Sequence, residues 1–424
     1  MNPYLTSFRC SLCGAHYSPD EVTYTCPQDS GNLDAVYDYE RMKRTLDPRA
    51  IAGRSDRSIW HYTELLPAQP DPSIAGPRTP LTSLGWSPLY RAPALERTLG
   101  VRAVWLKDDS RLPSSSFKDR ASAMVIARAM HMGVKTICVA STGNAAAALA
   151  ALCAGSDLQA IIFVPEDTPE GKLAGILIHG ARVYTVRGSY NDAVALANAA
   201  CQTFGWYNRS TGFNPYTREG KKTAGFEIAE QLARADGAAD GTTSAQPFRA
   251  PDVVIVPVGD GNIISGVHKG FAELRALGWI ERMPRFIGVT AALSPSLYRA
   301  WQSGMETFET IPSRTIASGI GTDRPCDGVM ALRAVRSTGG QFIEATDEEM
   351  LDGVREMATR AGVFVEPACA AAYVGLLKGR SMGVIGSDEE VVLQLTGSGF
   401  KDVRSALRAA GKPISVESLA DIRP

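Results

Sequence analysis

Nowhere in the 424 residues does an apolar run approach the length of a membrane span. The opening MNPYLTSFRC also lacks the apolar stretch of a signal peptide. Charge of one sign is missing too: 44 Lys and Arg stand against 45 Asp and Glu, a formal net charge of -1. That balance gives no electrostatic reason to expect nucleic acid or an anionic membrane as partner. The eight cysteines are scattered apart from one N-terminal group. A disulfide framework is therefore not expected, and reduced thiols in a cytoplasmic setting fit better. No repeat recurs at a fixed period. No G-x-G-x-x-G follows a strand pattern, which removes the best support for hydride transfer with a nicotinamide cofactor. The expectation is a globular intracellular protein of two or three domains.

What is present falls into three stretches. Residues 1 to about 45 carry Cys10, Cys13 and Cys26 among Gly, Pro and turn residues, with little helical periodicity. A Pro-rich connection, LLPAQPDPSIAGPRTPLTSLGWSPL (65–89), is too poor in periodic apolar residues to form a regular element. From about residue 101, short apolar runs alternate with longer helical patterns. VRAVWLK, TICVAST, AIIFVP, ARVYTV, DVVIVPVG, RFIGVTA, QFIEAT and VVLQLTG read as strands apolar on both faces. Segments such as DRASAMVIARAMHMG and NAAAALAALCAG read as the helices between them. This alternation predicts an α/β fold of mostly parallel sheet with helices on both sides. The small, polar stretch ADGAADGTTSAQPFRAP (235–251) predicts a flexible surface insertion.

Ligands of such sheets collect at the carboxyl ends of strands and at helix N-termini. Several strand ends share one character. TICVASTGNAAAALAALCAG ends a strand in Ser141, Thr142, Gly143 and Asn144 and opens an alanine-rich helix, a place for a carboxylate or phosphate or simply a capped helix. DVVIVPVGDGNIISGVHKGF passes through Gly259, Asp260, Gly261 and Asn262 into a helix near Ile263, a candidate phosphate cup. VVLQLTGSGFKD ends in Thr396 and Ser398 between glycines, where capping is the simpler account.

PSSSFKDRASAMVIARAM places Lys118 behind a run of serines, in the first turn of an amphipathic helix. A cation is electrostatically misplaced there, which favours the neutral amine, as burial also would. Lysines of this kind form Schiff bases with carbonyl compounds, and the serines would form the rim of the pocket. A lysine nucleophile, a phosphate cup and two clusters of hydroxyls and amides suggest one ligand carrying an aldehyde, a phosphate and a polar ring: pyridoxal 5′-phosphate.

The order SFKDR, STGN, NPYTREGKKTAGFEIAEQL, PVGDGN, FVEPACAA and LTGSGFKD resembles the threonine synthase group of fold-type-II pyridoxal-phosphate enzymes, over roughly residues 80 to 410. The resemblance implies two open, mostly parallel twisted sheets flanked by helices, the tryptophan synthase β-like fold. It implies a large cofactor-binding domain (46–125 and 215–424) and a small mobile substrate domain (126–214), behind an N-terminal segment (1–45) whose cysteines read as a degenerate zinc-ribbon-like unit. Lys118 would form the internal aldimine, and Asn144 would hydrogen-bond the pyridine 3-hydroxyl. Gly259, Asp260, Gly261, Asn262 and Ile263 would hold the cofactor phosphate, and Thr396 would face the pyridine nitrogen. Ser141, Thr142 and Gly143 would grip the substrate carboxylate. The reaction implied is that of a lyase in amino-acid biosynthesis, O-phosphohomoserine and water giving threonine and phosphate, in a homodimer. A second anion site would then be needed, with Lys107, Arg111, Lys221, Lys222 and Arg324 as candidates.

Two departures stand out: GDGN replaces a more usual GNAGN, and EGKKT a more usual EGQKT. They leave the cofactor in place and keep other amino-acid substrates open. Alternatives are β-replacement on phosphoserine as in cysteate synthase, dehydration of threonine or serine, and a non-catalytic binder of the cofactor or an amino acid. In FRCSLCGAHYSPDEVTYTCPQDSG one C-x-x-C is followed by a lone cysteine, and Asp29 stands where a second pair would close. With only Asp29 or His16 to complete a metal site, the expectation is a ribbon without metal. His131, His179 and His268 read as surface or core residues, and Cys138, Cys153, Cys201 and Cys369 as small buried hydrophobes.

Overall fold

The computed structural model describes residues 2–240, 246–418 and 422. Every apolar run expected as a strand is one, and the strands assemble into three sheets. A six-stranded sheet runs in the order Gln341–Ala345, Arg285–Ala291, Val253–Pro257, Glu390–Leu395, Ala103–Asp108, Leu89–Arg91. All its pairings are parallel except the last. A four-stranded, wholly parallel sheet orders Arg182–Val186, Gln159–Pro165, Thr136–Ala140 and Tyr207–Asn208. The N-terminal segment forms a three-stranded antiparallel sheet of His16–Tyr17, Leu5–Cys10 and Leu33–Tyr37.

The central strands explain why periodicity of two is missing from the sequence. Val253–Pro257 and Glu390–Leu395 are buried along their whole lengths, because helices cover both faces of the sheet. Helix Pro367–Ser381 packs on one side and helix Asn262–Ala276 on the other. Helix Asn144–Cys153 buries every residue from Ala146 onward, so its alanines let neighbouring elements approach closely. Gly220, in helix Tyr216–Lys221, lies against helix Lys118–His131 so tightly that a Cβ would sit 2.0 Å from the Arg120 carbonyl oxygen.

Two local expectations change. The Pro-rich connection contains short helices, Pro72–Ala75 and Pro80–Ser83, each opened by a proline and capped by the side chain of Asp71 or Thr79. Proline is pre-organised for that first helical position, and the caps satisfy the free N–H groups. The connection ends in the edge strand Leu89–Arg91. The expected insertion at 235–251 is helical through Asp240, as the end of helix Thr223–Asp240, and residues 241–245 lie outside the described residues.

Beneath the sheet edge lies a cluster of charge with no water contact. Arg120 donates to Asp109 at 2.8 Å and to Glu227 at 2.6 Å, and Lys107 reaches Glu227 at 2.6 Å. All four side chains are fully buried. Despite that burial, the two cations hold the Glu227 carboxyl down at about 2. Lys107 is therefore a structural cation and not a ligand for substrate. No helix of the described residues is long and apolar enough to cross a membrane.

Candidate active site

Strand ends of the six-stranded and four-stranded sheets open into one cleft of about 1190 Å³. Lys118, Ser141, Thr142, Gly143, Asn144, Asp260, Ile263 and Thr396 all line it. Gly259, Gly261 and Asn262 line an adjoining recess that shares Lys118, Asp260 and Ile263 with the cleft and adds Lys221. Residues separated by up to most of the chain thus form one continuous concavity.

Lys118 is held there by its neighbours' backbone. The Phe117 N–H donates to the Thr396 carbonyl at 2.9 Å, and the Ser398 N–H donates to the Ser115 carbonyl at 3.1 Å. Ser115 takes a left-handed φ of +59°, and the Ser114 N–H is held by the Asp119 carboxylate at 2.8 Å. The serine turn is stitched to the strand end Thr396–Ser398. None of Ser114, Ser115 and Ser116 lines the cleft, so the serines anchor the lysine from behind instead of forming its rim.

Three cations meet around the recess. Burial lowers the Lys118 ammonium below its ordinary range, Arg209 adds to the fall, and Asp260 and Glu366 oppose it. Lys221, fully buried, is driven well down by burial and then by Lys118 and Arg209. Its Nζ donates to Asn262 Oδ1 at 2.6 Å. Arg209 is fully buried and meets hydroxyls, Ser122 at 3.0 Å and Thr211 at 2.8 Å. Burial brings its guanidinium down to about 10. Neither Lys221 nor Arg209 has an ion-pair partner among the described residues. Asp260 is the acid that faces Lys118 and Lys221 across this recess.

At the other side, Asn144 donates to Glu366 Oε1 at 2.9 Å. Burial pushes the Glu366 carboxyl up to about 6, with Asn144, Lys401 and Lys118 pulling it back. Thr396 is nearly buried, and its N–H donates to Cys369 Sγ at 3.1 Å.

The anion-site candidates separate cleanly. Lys107 is consumed by Glu227, and Lys222 by Glu219 and Glu273 at 2.6 and 2.9 Å. Arg111 is exposed and lies outside the cleft lining, Lys221 sits in the recess, and Arg324 is exposed at the cleft wall. Lys172 and Lys401, which the sequence does not single out, line the cleft as well. Arg209 is missed because it follows a strand of only Tyr207–Asn208, too short to show any period.

The pattern of pyridoxal-phosphate dependent enzymes matches residues 81–397. The chain belongs to that family. The threonine synthase of Methanosarcina acetivorans is 36% identical over 417 residues, 97% of this chain and 96% of its own. That of Methanocaldococcus jannaschii is 35% identical, covering 96% of each chain. That of Mycobacterium tuberculosis is 34% identical over 89% of this chain and 98% of its own. Among solved structures, maize serine racemase superposes with a TM-score of 0.64 at 18% identity, over 81% of this chain and 94% of that one. Threonine deaminase isoform 2 of Solanum lycopersicum gives 0.61 at 20%, over 76% and 83%. These likenesses give the fold.

Pyridoxal phosphate, the cofactor of this family, suits the residues present. A buried lysine with no acid paired to it, beside the opening N–H groups of helix Asn262–Ala276, is what a phosphate dianion would neutralise. A second lysine of lowered basicity within the same cleft is what an aldehyde requires.

Proposed function

We propose that this chain is a pyridoxal-phosphate-dependent threonine synthase, a lyase of amino-acid biosynthesis that converts O-phosphohomoserine and water to threonine and phosphate. The observation that carries the reading is full-length likeness to threonine synthases combined with convergence of Lys118, Asn144, Thr396 and the Gly259–Ile263 turn on one cleft.

When bound, the cofactor supplies an electron sink for the pair left as the substrate loses its α-proton. Lys118 would hold the cofactor through its aldehyde, and its Nζ, when free, would serve as the base for the substrate's α-proton and return protons later in the cycle. The lowered basicity of that amine at the cleft floor keeps a neutral fraction ready. Gly259, Asp260, Gly261, Asn262 and Ile263, with Lys221, would hold the cofactor phosphate. Asn144, oriented by its hydrogen bond to Glu366, would be the donor to the cofactor's 3-oxygen. Thr396 would offer the ring nitrogen a hydroxyl, which cannot keep that nitrogen protonated as a carboxylate would. Ser141, Thr142 and Gly143, at the start of helix Asn144–Cys153, hold the substrate carboxylate. Arg324, Lys172 and Lys401 are the cleft cations available to the phosphate that leaves the γ-carbon while water adds at the β-carbon.

The same reading divides the chain into a ribbon (1–45), a cofactor domain (46–125 and 215–424) and a substrate domain (126–214). Confinement of the four-stranded sheet to strands between Thr136 and Asn208 supports that division. It includes a cytoplasmic location, supported by eight cysteines that are all unpaired. It also includes a homodimer, checked by light scattering. The test of the reaction is phosphate release from O-phosphohomoserine, run beside phosphoserine with sulfite and beside threonine alone. Turnover of either comparison substrate in place of O-phosphohomoserine would reassign the chain within the family.

A further inference from the structure

Two turns of the N-terminal ribbon are built alike. In the first, Cys10 and Cys13 lie three apart, the Gly14 N–H donates to the Cys10 carbonyl at 3.2 Å, and Gly14 is left-handed at φ +77°. In the second, Cys26 and Asp29 keep that spacing, the Ser30 N–H donates to the Cys26 carbonyl at 2.9 Å, and Ser30 is left-handed at φ +59°. Pairing of Leu5–Cys10 with Leu33–Tyr37, which sets Cys10 opposite Leu33, brings the two turns together. The sulfurs of Cys10, Cys13 and Cys26 and a carboxylate oxygen of Asp29 all lie within 4.8 Å of one another.

The spacings are those of ligands around one ion. Cys13 Sγ and Cys26 Sγ are 3.7 Å apart. A disulfide would bring them to about 2.0 Å, whereas two thiolates on a tetrahedral zinc stand about 3.8 Å apart. Cys10 Sγ is 3.3 and 3.5 Å from the two Asp29 oxygens, where thiolate and carboxylate on one zinc stand about 3.5 Å apart. Three of the four ligands are also oriented from outside the cluster. The Leu12 N–H donates to Cys10 Sγ at 3.3 Å, the Tyr17 hydroxyl lies 3.1 Å from Cys26 Sγ, and the Gly31 N–H donates to Asp29 Oδ1 at 2.8 Å. His16, the other candidate, instead pairs through Nδ1 with the Ser7 hydroxyl at 2.9 Å on an exposed face. A ribbon this small has little core of its own, and segments under about 40 residues ordinarily need a metal or a crosslink to hold their turns.

We propose that Cys10, Cys13, Cys26 and Asp29 bind one zinc ion as a closed tetrahedral site, with release of three thiol protons. Asp29 takes the place a fourth cysteine would fill, which is why spacing alone leaves the site looking incomplete. The ion's task is structural. The loop it closes carries Thr25, Ser30 and Asn32 to the wall of the active-site cleft. Asn32 Nδ2 donates to Asp327 Oδ1 at 3.0 Å, and Asp327 Oδ2 accepts from Asn262 Nδ2 at 3.1 Å. The metal loop thus sits two contacts from the recess around Lys221.

The test uses the full chain purified without chelator. Elemental analysis should find about one zinc per chain, released by a mercurial that titrates thiols. Cobalt(II) in its place should give thiolate charge-transfer absorption and the visible bands of a tetrahedral ion. Asp29→Cys should keep the metal and move the cobalt bands toward those of four thiolates, and Asp29→Ala should lose at least half of it. Cys13→Ser, at the one exposed cysteine ligand, extends the test if Cys26→Ser fails to fold. Less than a quarter-equivalent of zinc with no cobalt spectrum overturns the proposal. So does zinc that persists unchanged in both Asp29→Ala and Cys13→Ser.

Discussion

Lys221 Nζ donates to Asn262 Oδ1 at 2.6 Å, on the floor of a recess lined by Gly259, Asp260 and Gly261. A buried ammonium is costly unless a counter-charge meets it. Here two other cations, Lys118 and Arg209, make it worse, and Asp260 and Asp327 relieve it only partly. A phosphate in the recess would supply the missing charge.

Replacing Lys221 by Met should therefore weaken pyridoxal phosphate binding by about 10- to 100-fold, the worth of one charged hydrogen bond. Binding of pyridoxal, which lacks the phosphate, should hardly change. Fluorescence titration of the cofactor-free chain with both compounds checks this. Equal losses for the two would assign Lys221 a packing role only.

The Arg120–Asp109–Glu227–Lys107 cluster is a stability element. Arg120→Ala leaves two buried carboxylates facing one lysine and should cost about 3–5 kcal/mol in denaturant unfolding. The sign of its pH dependence follows from Glu227. Its folded-state carboxyl is depressed to about 2, against about 4.3 unfolded. The stabilisation is complete above the unfolded value and lost as pH falls from there toward 2. Wild type should accordingly lose stability through that window more steeply than Glu227→Gln.

Much of this arrangement is legible in the sequence, and the part that is not has a physical reason. Strands such as Val253–Pro257 declare themselves because burial on both faces demands unbroken apolar runs. Strand ends with Ser141–Asn144 or Gly259–Asn262 declare themselves because small residues must let a ligand approach backbone. Leu89–Arg91 and Tyr207–Asn208 do not, because three and two residues carry no period. Nor can a sequence separate Lys107 and Lys222, spent in buried pairs, from Lys221, which faces the recess. The partners that decide it lie up to 120 positions away. The serines before Lys118 mislead for a related reason, since their role depends on backbone contacts with Thr396 and Ser398.

Glu366 carries a pH signature of its own. Its carboxyl is raised to about 6 by burial beside Asn144. The folded state then holds the proton more tightly than the unfolded chain. The charged form costs stability above pH 6, about 2 kcal/mol at most, and the cost vanishes below the unfolded value. Glu366→Gln keeps an acceptor for Asn144 and should raise the melting temperature of the cofactor-free chain at pH 8, with no gain at pH 4.5. An equal gain at both pH values would mean that packing, not charge, sets the effect.

On the proposed reading Lys118, at the meeting point of the three strand ends, runs a phosphate elimination and hydration on O-phosphohomoserine. The most direct measurement is phosphate and threonine released from that substrate by the holoenzyme and by Lys118→Ala. Equal amounts of both products are expected from the holoenzyme, and a rate at least about 100-fold lower in the variant. Undiminished turnover by Lys118→Ala, or a cofactor-loaded wild type that releases no phosphate from O-phosphohomoserine, would contradict it.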